Sequence, residues 1–261
     1  MTEAEYAQEL IGKAIKFATD AHNTQTRKGT TLPYILHLME AGAIAASITE
    51  EPEVIAAAIL HDTLEDTAVT PEQLSGNFGK YILRLVTAAS ENKYRERPEA
   101  ETWQQRKQET IDKIPHLTTE EQIVVLADKL SNIRTTYAQY RKSPTTVFER
   151  FNVKDPKMHQ WYYTSILKAL DKVRNTCAYL EFHHICLAMF DDVRLEDVHA
   201  GGHMWCAEQT ICDEDIAAGS FTCTAHLADG RAFVCPYASA EDRAKAEHPC
   251  QDYSPAHKTN S

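Results

Sequence analysis

The sequence contains no uninterrupted apolar run approaching the roughly 18 residues of a membrane span, and its start, MTEAEYAQELIGK, lacks the basic-then-apolar order of an export signal. A cytoplasmic protein without membrane contact is therefore expected. Cysteine is scarce where a core would form: five of the seven lie beyond position 200, the number is odd, and no C-x-x-C pair occurs. This argues against a secreted disulfide framework and leaves reduced thiols as the expectation. Positive charge is also in deficit, with 27 Lys and Arg against 38 Asp and Glu and a net charge of −11. A protein that wraps nucleic acid by neutralising its phosphates needs a basic stripe, so no nucleic-acid partner is expected. An anionic small molecule would have to be drawn in by a bound cation and a few local bases. Internal repeats and low-complexity tracts are absent as well.

What is present is helical periodicity. Leu10, Ala14, Phe17, Ala18 and Ala21 recur at a spacing near 3.6 and predict an amphipathic helix over 3–22. The same pattern predicts helices over about 37–48, 53–66, 78–90, 99–114, 119–141 and 157–190, with breaks at Gly29, Pro33, Pro52, Pro71, Pro98, Pro144 and Pro156. The fold class is mainly α, with a helical domain over 1–190. The texture then changes. Gly201-Gly202 and clustered cysteines precede an alternating stretch, Phe221, Cys223, Ala225 and Leu227, that runs into Asp229-Gly230 and on to Arg231, Phe233 and Cys235. Asp-Gly between alternating segments predicts a hairpin, so 191–261 reads as a small β-containing C-terminal appendage whose end, SPAHKTNS, frays.

The segment LHDTLEDT carries the sharpest chemistry. His61-Asp62 and Glu65-Asp66 lie one helical turn apart on one predicted helix face, and the apolar run Ala56-Ala57-Ala58-Ile59-Leu60 leads into them. Burying a carboxylate is costly unless it is paired or binds a metal. Two more such residues stand in apolar surroundings: His37 in PYILH, and Asp128 in QIVVLADKLSNIR, where five of the six preceding residues are apolar. Taken singly, a buried histidine is more often a hydrogen-bonded core residue and a helical aspartate a solvated one. Together His37, His61, Asp62 and Asp128 make a His₂Asp₂ set suited to a divalent ion with positions left for water, and Mn²⁺, Fe²⁺, Co²⁺ and Zn²⁺ all accept such donors. Asn132 falls one turn after Asp128 on the same face, where its amide could bond a ribose or phosphate.

The order RKGTTLPYILH, LHDTLEDT, LADKLSNIR resembles the hydrolase domain of the RelA/SpoT family, within the HD superfamily, over about positions 1–180. The chain is too short for the synthetase and regulatory domains of the long enzymes, so it resembles the stand-alone small alarmone hydrolases. That resemblance implies an HD-type helical fold and a 3′-pyrophosphohydrolase acting on (p)ppGpp to give GDP or GTP plus pyrophosphate. It further implies Mn²⁺ on His37, His61, Asp62 and Asp128, Glu65 and Asp66 as the catalytic acidic pair, and Arg27 and Lys28 as nucleotide contacts. Tyr162 and Tyr163 fall where the family places a late-helix contact, although an aromatic cluster at this spacing is more often core. Lys93, in SENKYRER, reads as a phosphate contact or, more simply, as part of a solvated charge run.

Other readings share the same ligands. The substrate could be NADPH or an adenosine-based alarmone, the protein could act as antitoxin to an alarmone-synthesising toxin, or the fold could bind an alarmone without turning it over. In the appendage, His199, His203, Cys206 and Cys212 could hold a structural Zn²⁺, but their irregular spacing favours cysteines that pack as small apolar residues. The appendage is also the expected place for a homo-oligomer contact or a protein partner.

Overall fold

A computed structural model of the 261-residue chain describes residues 2–94 and 96–190, together with the backbone of three short strand segments further on. The chain divides into two compact units, Met1–Val173 and Arg174–Ser261. The first contains α1 (Glu3–Ala21), α2 (Ile35–Ala46), α3 (Pro52–Leu60), the short α4 (Thr63–Asp66), α5 (Pro71–Ala89), α6 (Glu99–Lys113), α7 (Thr119–Tyr140) and α8 (Pro156–Ala169), with single 3₁₀ turns at Ile114–His116 and Val147–Arg150. In the second unit, α9 spans Cys177–Phe190, and β1 (Gln209–Thr210), β2 (Thr224–His226) and β3 (Ala232–Val234) pair antiparallel in that order. The Asp229-Gly230 turn, His199, His203 and the five late cysteines, on which the readings of the appendage rest, lie outside the described residues.

The core of the first unit is built around α7 and α3. Every residue of α7 from Glu121 to Ser131 is buried, and so is every residue of α3 from Val54 to Leu60, so neither helix has a solvent face over those stretches. A helix that is apolar all round belongs in the interior. α7 packs against α2, α3 and α5, while α3 also meets α1, α2 and α5. The small side chains of α2 and α3 allow close approach. A Cβ on Gly42 would come within 2.5 Å of Ile59 Cγ1, so any larger residue at this position would push α2 off α3. Capping boxes at Thr2–Glu5, Thr70–Gln73 and Thr118–Glu121 start α1, α5 and α7, each satisfying two backbone N–H groups and contributing on the order of 1 kcal/mol.

Three predicted helices differ from those observed. The helix expected over 53–66 stops at Leu60, and His61-Asp62 occupy the turn before α4. Side chains make this break: the His61 ring donates Nδ1–H to the Ala58 carbonyl at 2.7 Å, and Thr63 Oγ donates to the Leu60 carbonyl at 2.6 Å, satisfying carbonyls that a continuing helix would have used. The helix expected from 78 begins at Pro71, which stands at the first helical position, where its missing N–H costs nothing. Gly79, at φ +82°, kinks that helix, and the kink is why its periodicity is legible only in the second half. The helix expected over 157–190 is interrupted after Ala169. Gln122 of α7 bonds Asp171 Oδ1 at 2.9 Å and accepts the Lys172 N–H at 3.0 Å, which captures the chain in a non-helical course where no glycine or proline signals a break.

Candidate metal centre

His37 stands in the first turn of α2, His61 and Asp62 in the turn that ends α3, and Asp128 in mid-α7. The mutual packing of these three helices brings the four side chains to one buried point. The His61 Nε2 atom lies 3.0 Å from Asp62 Oδ2 and 3.4 Å from Asp128 Oδ1, and His37 Nε2 lies 3.6 and 3.4 Å from the same two oxygens. The rings of His37 and His61 meet edge to face, with centroids 5.0 Å apart. His37, His61 and Asp128 can each offer a donor atom within 4.8 Å of the others.

The donor set fits a divalent cation. Both Nε2 atoms are buried and complete no hydrogen bond, whereas both Nδ1 atoms are engaged, on the Ala58 carbonyl and on Ser131 Oγ. An imidazole whose Nδ1–H is committed presents its Nε2 lone pair, which is the form a metal takes. The two aspartates also make this point attractive to any cation, a proton or a metal ion alike. Burial pushes the His61 ring down, yet Asp62 and Asp128 outweigh it and hold the ring well above the usual histidine value. Burial likewise raises Asp62 and Asp128, but nearby positive charge, from His61 on the former and Lys129 and His61 on the latter, holds both well below the usual carboxylate range. The point where the four groups meet thus favours positive charge.

The acidic pair stands at the edge of this floor. Glu65 accepts the Glu91 N–H at 2.9 Å through one oxygen and pairs with Lys93 Nζ at 2.8 Å through the other, and the same ammonium lies 2.9 Å from Asp66 Oδ1. Burial, then Asp62 and Glu91, raise the Glu65 carboxyl above its ordinary value against the pull of Lys93. Lys93 is therefore not in a solvated charge run. It ties together the two acids, and only their positions in space, not their spacing in sequence, could have shown it.

Two cavities flank the acids and share Asp66 and Lys93. One, of about 350 Å³, is completed by Glu65, Arg97 and Glu99. The other, of about 380 Å³, holds Arg27, Lys28 and Asn132 as expected, Tyr163 of the late helix, and Arg150 and Phe151, which the sequence did not single out. Tyr162 is buried beside Tyr163, with the Lys107 ammonium 4.7 Å from its ring centroid. Asn132 bridges floor and wall, giving its amide N–H to Asp128 Oδ1 at 2.5 Å and accepting from Arg27 Nη2 at 3.2 Å. Lys28 donates to Asn152 Oδ1 at 3.3 Å, and the Arg150 guanidinium stacks 4.6 Å over the Phe151 ring. Tyr34, from the PYILH motif, donates its hydroxyl to Asp62 Oδ2 at 2.6 Å. Two further residues of the LADKLSNIR segment are paired: Lys129 is buried against Asp128 at 2.6 Å and Arg134 lies 3.3 Å from Glu40.

The HD-domain family matches residues 14–153, more than half of the chain and all four candidate ligands. The chain belongs to the HD-domain family. Within that family it is 37% identical over 130 residues to the guanosine-3′,5′-bis(diphosphate) 3′-pyrophosphohydrolase MESH1 of Danio rerio, an alignment covering 48% of this chain and 68% of that one. The guanosine-3′,5′-bis(diphosphate) 3′-pyrophosphohydrolase of Aquifex aeolicus is 32% identical over 170 residues, which are 62% of this chain but only 23% of that protein. A solved structure described as a metazoan orthologue of SpoT that hydrolyses ppGpp superposes with a TM-score of 0.54 at 26% identity, covering 67% of this chain and 93% of that one. These relatives bear out the expected kinship with the SpoT-like hydrolases, including the stand-alone ones. The helical HD fold stands with it. Among the described residues, no helix of this HD-domain protein is long and apolar enough to cross a membrane.

Proposed function

We propose that this HD-domain protein is a metal-dependent 3′-pyrophosphohydrolase of (p)ppGpp-type alarmones, yielding GDP or GTP plus pyrophosphate. The observation that carries this reading is the buried convergence of His37, His61, Asp62 and Asp128 beneath an acidic pair and a cation-lined cavity. The ligand set would hold Mn²⁺, and a divalent ion in such a site lowers the pKa of water towards neutrality. Glu65 or Asp66 takes the proton of the attacking water, a role that a raised carboxyl such as Glu65 suits at physiological pH. The water oxygen adds to the phosphorus bonded to the ribose 3′-oxygen and the P–O3′ bond breaks. GDP or GTP leaves with a 3′-hydroxyl once its O3′ is protonated, and pyrophosphate carries away the water oxygen.

Arg27, Lys28, Lys93 and Arg150 face the cavity and would balance the phosphate charge, while Asn132 would orient the ribose or a phosphate. Phe151 and Tyr163 give the base or sugar an aromatic wall. The names of the relatives support guanosine alarmones over other nucleotides. The family match over 14–153 and the compact unit Met1–Val173 support assigning the chemistry to the first part of the chain. Extension of that domain to 190, a separate appendage over 191–261 and a cytoplasmic setting are part of the same proposal.

The test is incubation of the purified protein with ppGpp and Mn²⁺, with and without EDTA, beside an Asp62→Ala control, with products resolved by anion-exchange chromatography. GDP plus pyrophosphate formed only with metal and only by the unaltered chain is the expected result. Absence of turnover by folded, metal-loaded protein would eliminate ppGpp and direct the search to NADPH and adenosine nucleotides.

A further inference from the structure

The two candidate histidine ligands are oriented by different means. His61 gives its Nδ1–H to the Ala58 carbonyl, a backbone group of its own helix, so no single side chain controls its tautomer. His37 depends on side chains. Its Nδ1 lies 2.7 Å from Ser131 Oγ, and Ser131 Oγ lies 2.7 Å from Glu40 Oε2. A carboxylate can only accept, so the single hydroxyl proton of Ser131 goes to Glu40, and the serine oxygen is left to accept Nδ1–H from His37. The proton count fixes the His37 lone pair on Nε2, the atom aimed at Asp62 and Asp128. Ser131 is fully buried, so water cannot replace its hydroxyl, and Arg134 holds the other Glu40 oxygen at 3.3 Å. Glu40 stands one turn after His37 on α2, and Ser131 and Arg134 stand one and two turns after Asp128 on α7. The chain of bonds therefore also fixes the register between two helices that each carry a ligand.

From this geometry we infer that Glu40 and Ser131 are positioning residues that hold His37 in its metal-binding tautomer and thereby set the affinity of the site for its divalent ion. The inference rests on the metal-site reading above and extends it to two residues that touch neither the ion nor the substrate. Partners of this kind typically account for 10- to 100-fold in metal affinity.

The experiment is calorimetric titration of the metal-free protein with Mn²⁺ for the unaltered chain, Ser131→Ala, Glu40→Ala and Ser131→Thr, with the melting temperature of each metal-free protein and kcat at saturating Mn²⁺ measured alongside. Ser131→Ala and Glu40→Ala should bind Mn²⁺ about 10- to 100-fold more weakly, with melting temperatures close to the parent and kcat largely restored at saturation. Ser131→Thr, which keeps the hydroxyl, should bind nearly as the parent does. Glu40 is half-exposed, so its variant keeps the test open even where the buried serine tolerates change poorly. Unchanged affinity in both alanine variants overturns the relay while leaving the metal site standing, and so does a weakening matched by a fall in metal-free melting temperature. Failure of the unaltered chain to bind Mn²⁺ overturns the site itself.

Discussion

The floor and the wall of the site are built on opposite principles. The four candidate ligands and Lys129 are almost completely buried and are supplied by α2, α7 and the turn that ends α3, among largely apolar neighbours. The wall, with Arg27, Lys28, Lys93, Arg150 and Phe151, comes largely from the segments between helices and is partly open to solvent. A buried floor whose side chains are tied to several helices fixes its donor atoms closely, as bond-making requires. A polar, partly solvated wall can receive a large anion and release its products. The two regions should therefore fail differently when altered, the floor and its acids in kcat and the wall in KM.

The sharpest way to break this division is at the acids on the border. Glu65→Gln should lower kcat by about 10²- to 10⁴-fold with little change in KM, since it removes a proton acceptor and leaves the cavity in place. Lys93→Met sharpens the comparison further. Burial, Asp62 and Glu91 raise the Glu65 carboxyl and Lys93 pulls it down, so loss of the ammonium lets it rise further. A base must be deprotonated to act, so the acid limb of the kcat profile should move to higher pH. A pH–rate profile of Lys93→Met coinciding with that of the parent would assign Lys93 to the wall alone.

The same contrast explains what could be read from sequence. Asp128 after Ile123-Val124-Val125-Leu126-Ala127, and His61-Asp62 after an alanine-rich helix, announce themselves because ionisable groups in apolar surroundings are expensive without a partner. The floor was legible for that reason, and so was most of the helical scaffold, whose amphipathic period is local. The break at His61 was not, because it depends on the His61 and Thr63 side chains turning back to bond the end of their own helix. Nor was the interruption after Ala169, which Gln122 imposes from nearly fifty residues away. On the wall, Arg27, Lys28 and Asn132 were found through their motifs. Arg150, at the end of a short 3₁₀ turn between Glu149 and Phe151, carries no periodic signal, and its stacking on Phe151 exists only in space. Lys93 stands close to two arginines and two glutamates in sequence, and a charge run of that kind is ordinarily solvated.

Glu91 tests how far the rigidity of the floor reaches behind the acids. Its side chain is 4% exposed and lies 2.7 Å from Lys107 and 3.2 Å from Arg106, while its backbone N–H holds Glu65. Burial pushes the carboxyl up, but Lys107, Lys129 and Arg106 outweigh it and hold it at about 2, against an ordinary value of 4.5. A carboxyl lower in the folded than in the unfolded chain stabilises above its unfolded value and loses that contribution as pH falls towards its folded one. On the order of 3 kcal/mol of stability should therefore disappear between about pH 4.5 and 2. Urea unfolding measured across that window should show the loss. In Glu91→Gln the protein should be weaker at neutral pH, since buried Arg106 and half-buried Lys107 lose their carboxylate, and its stability should fall less steeply with acid.

The smallest effect belongs to the wall, and its size is itself informative. Arg150 gives one nitrogen to Thr136 Oγ at 3.1 Å, another to Gln139, and lays its guanidinium on Phe151, so it stands already oriented at the cavity. A charged hydrogen bond to a phosphate contributes about 1.5–3 kcal/mol, so Arg150→Ala should raise KM about 10- to 100-fold while kcat at saturation changes only a few-fold. Arg150→Lys should recover part of the charge but not the planar stacking, and should fall between the two. Steady-state kinetics over a range of ppGpp concentrations separate these outcomes. A fall in kcat with KM unchanged would move Arg150 from the wall to the reacting phosphate, where its guanidinium would stabilise charge that develops only as the P–O3′ bond breaks.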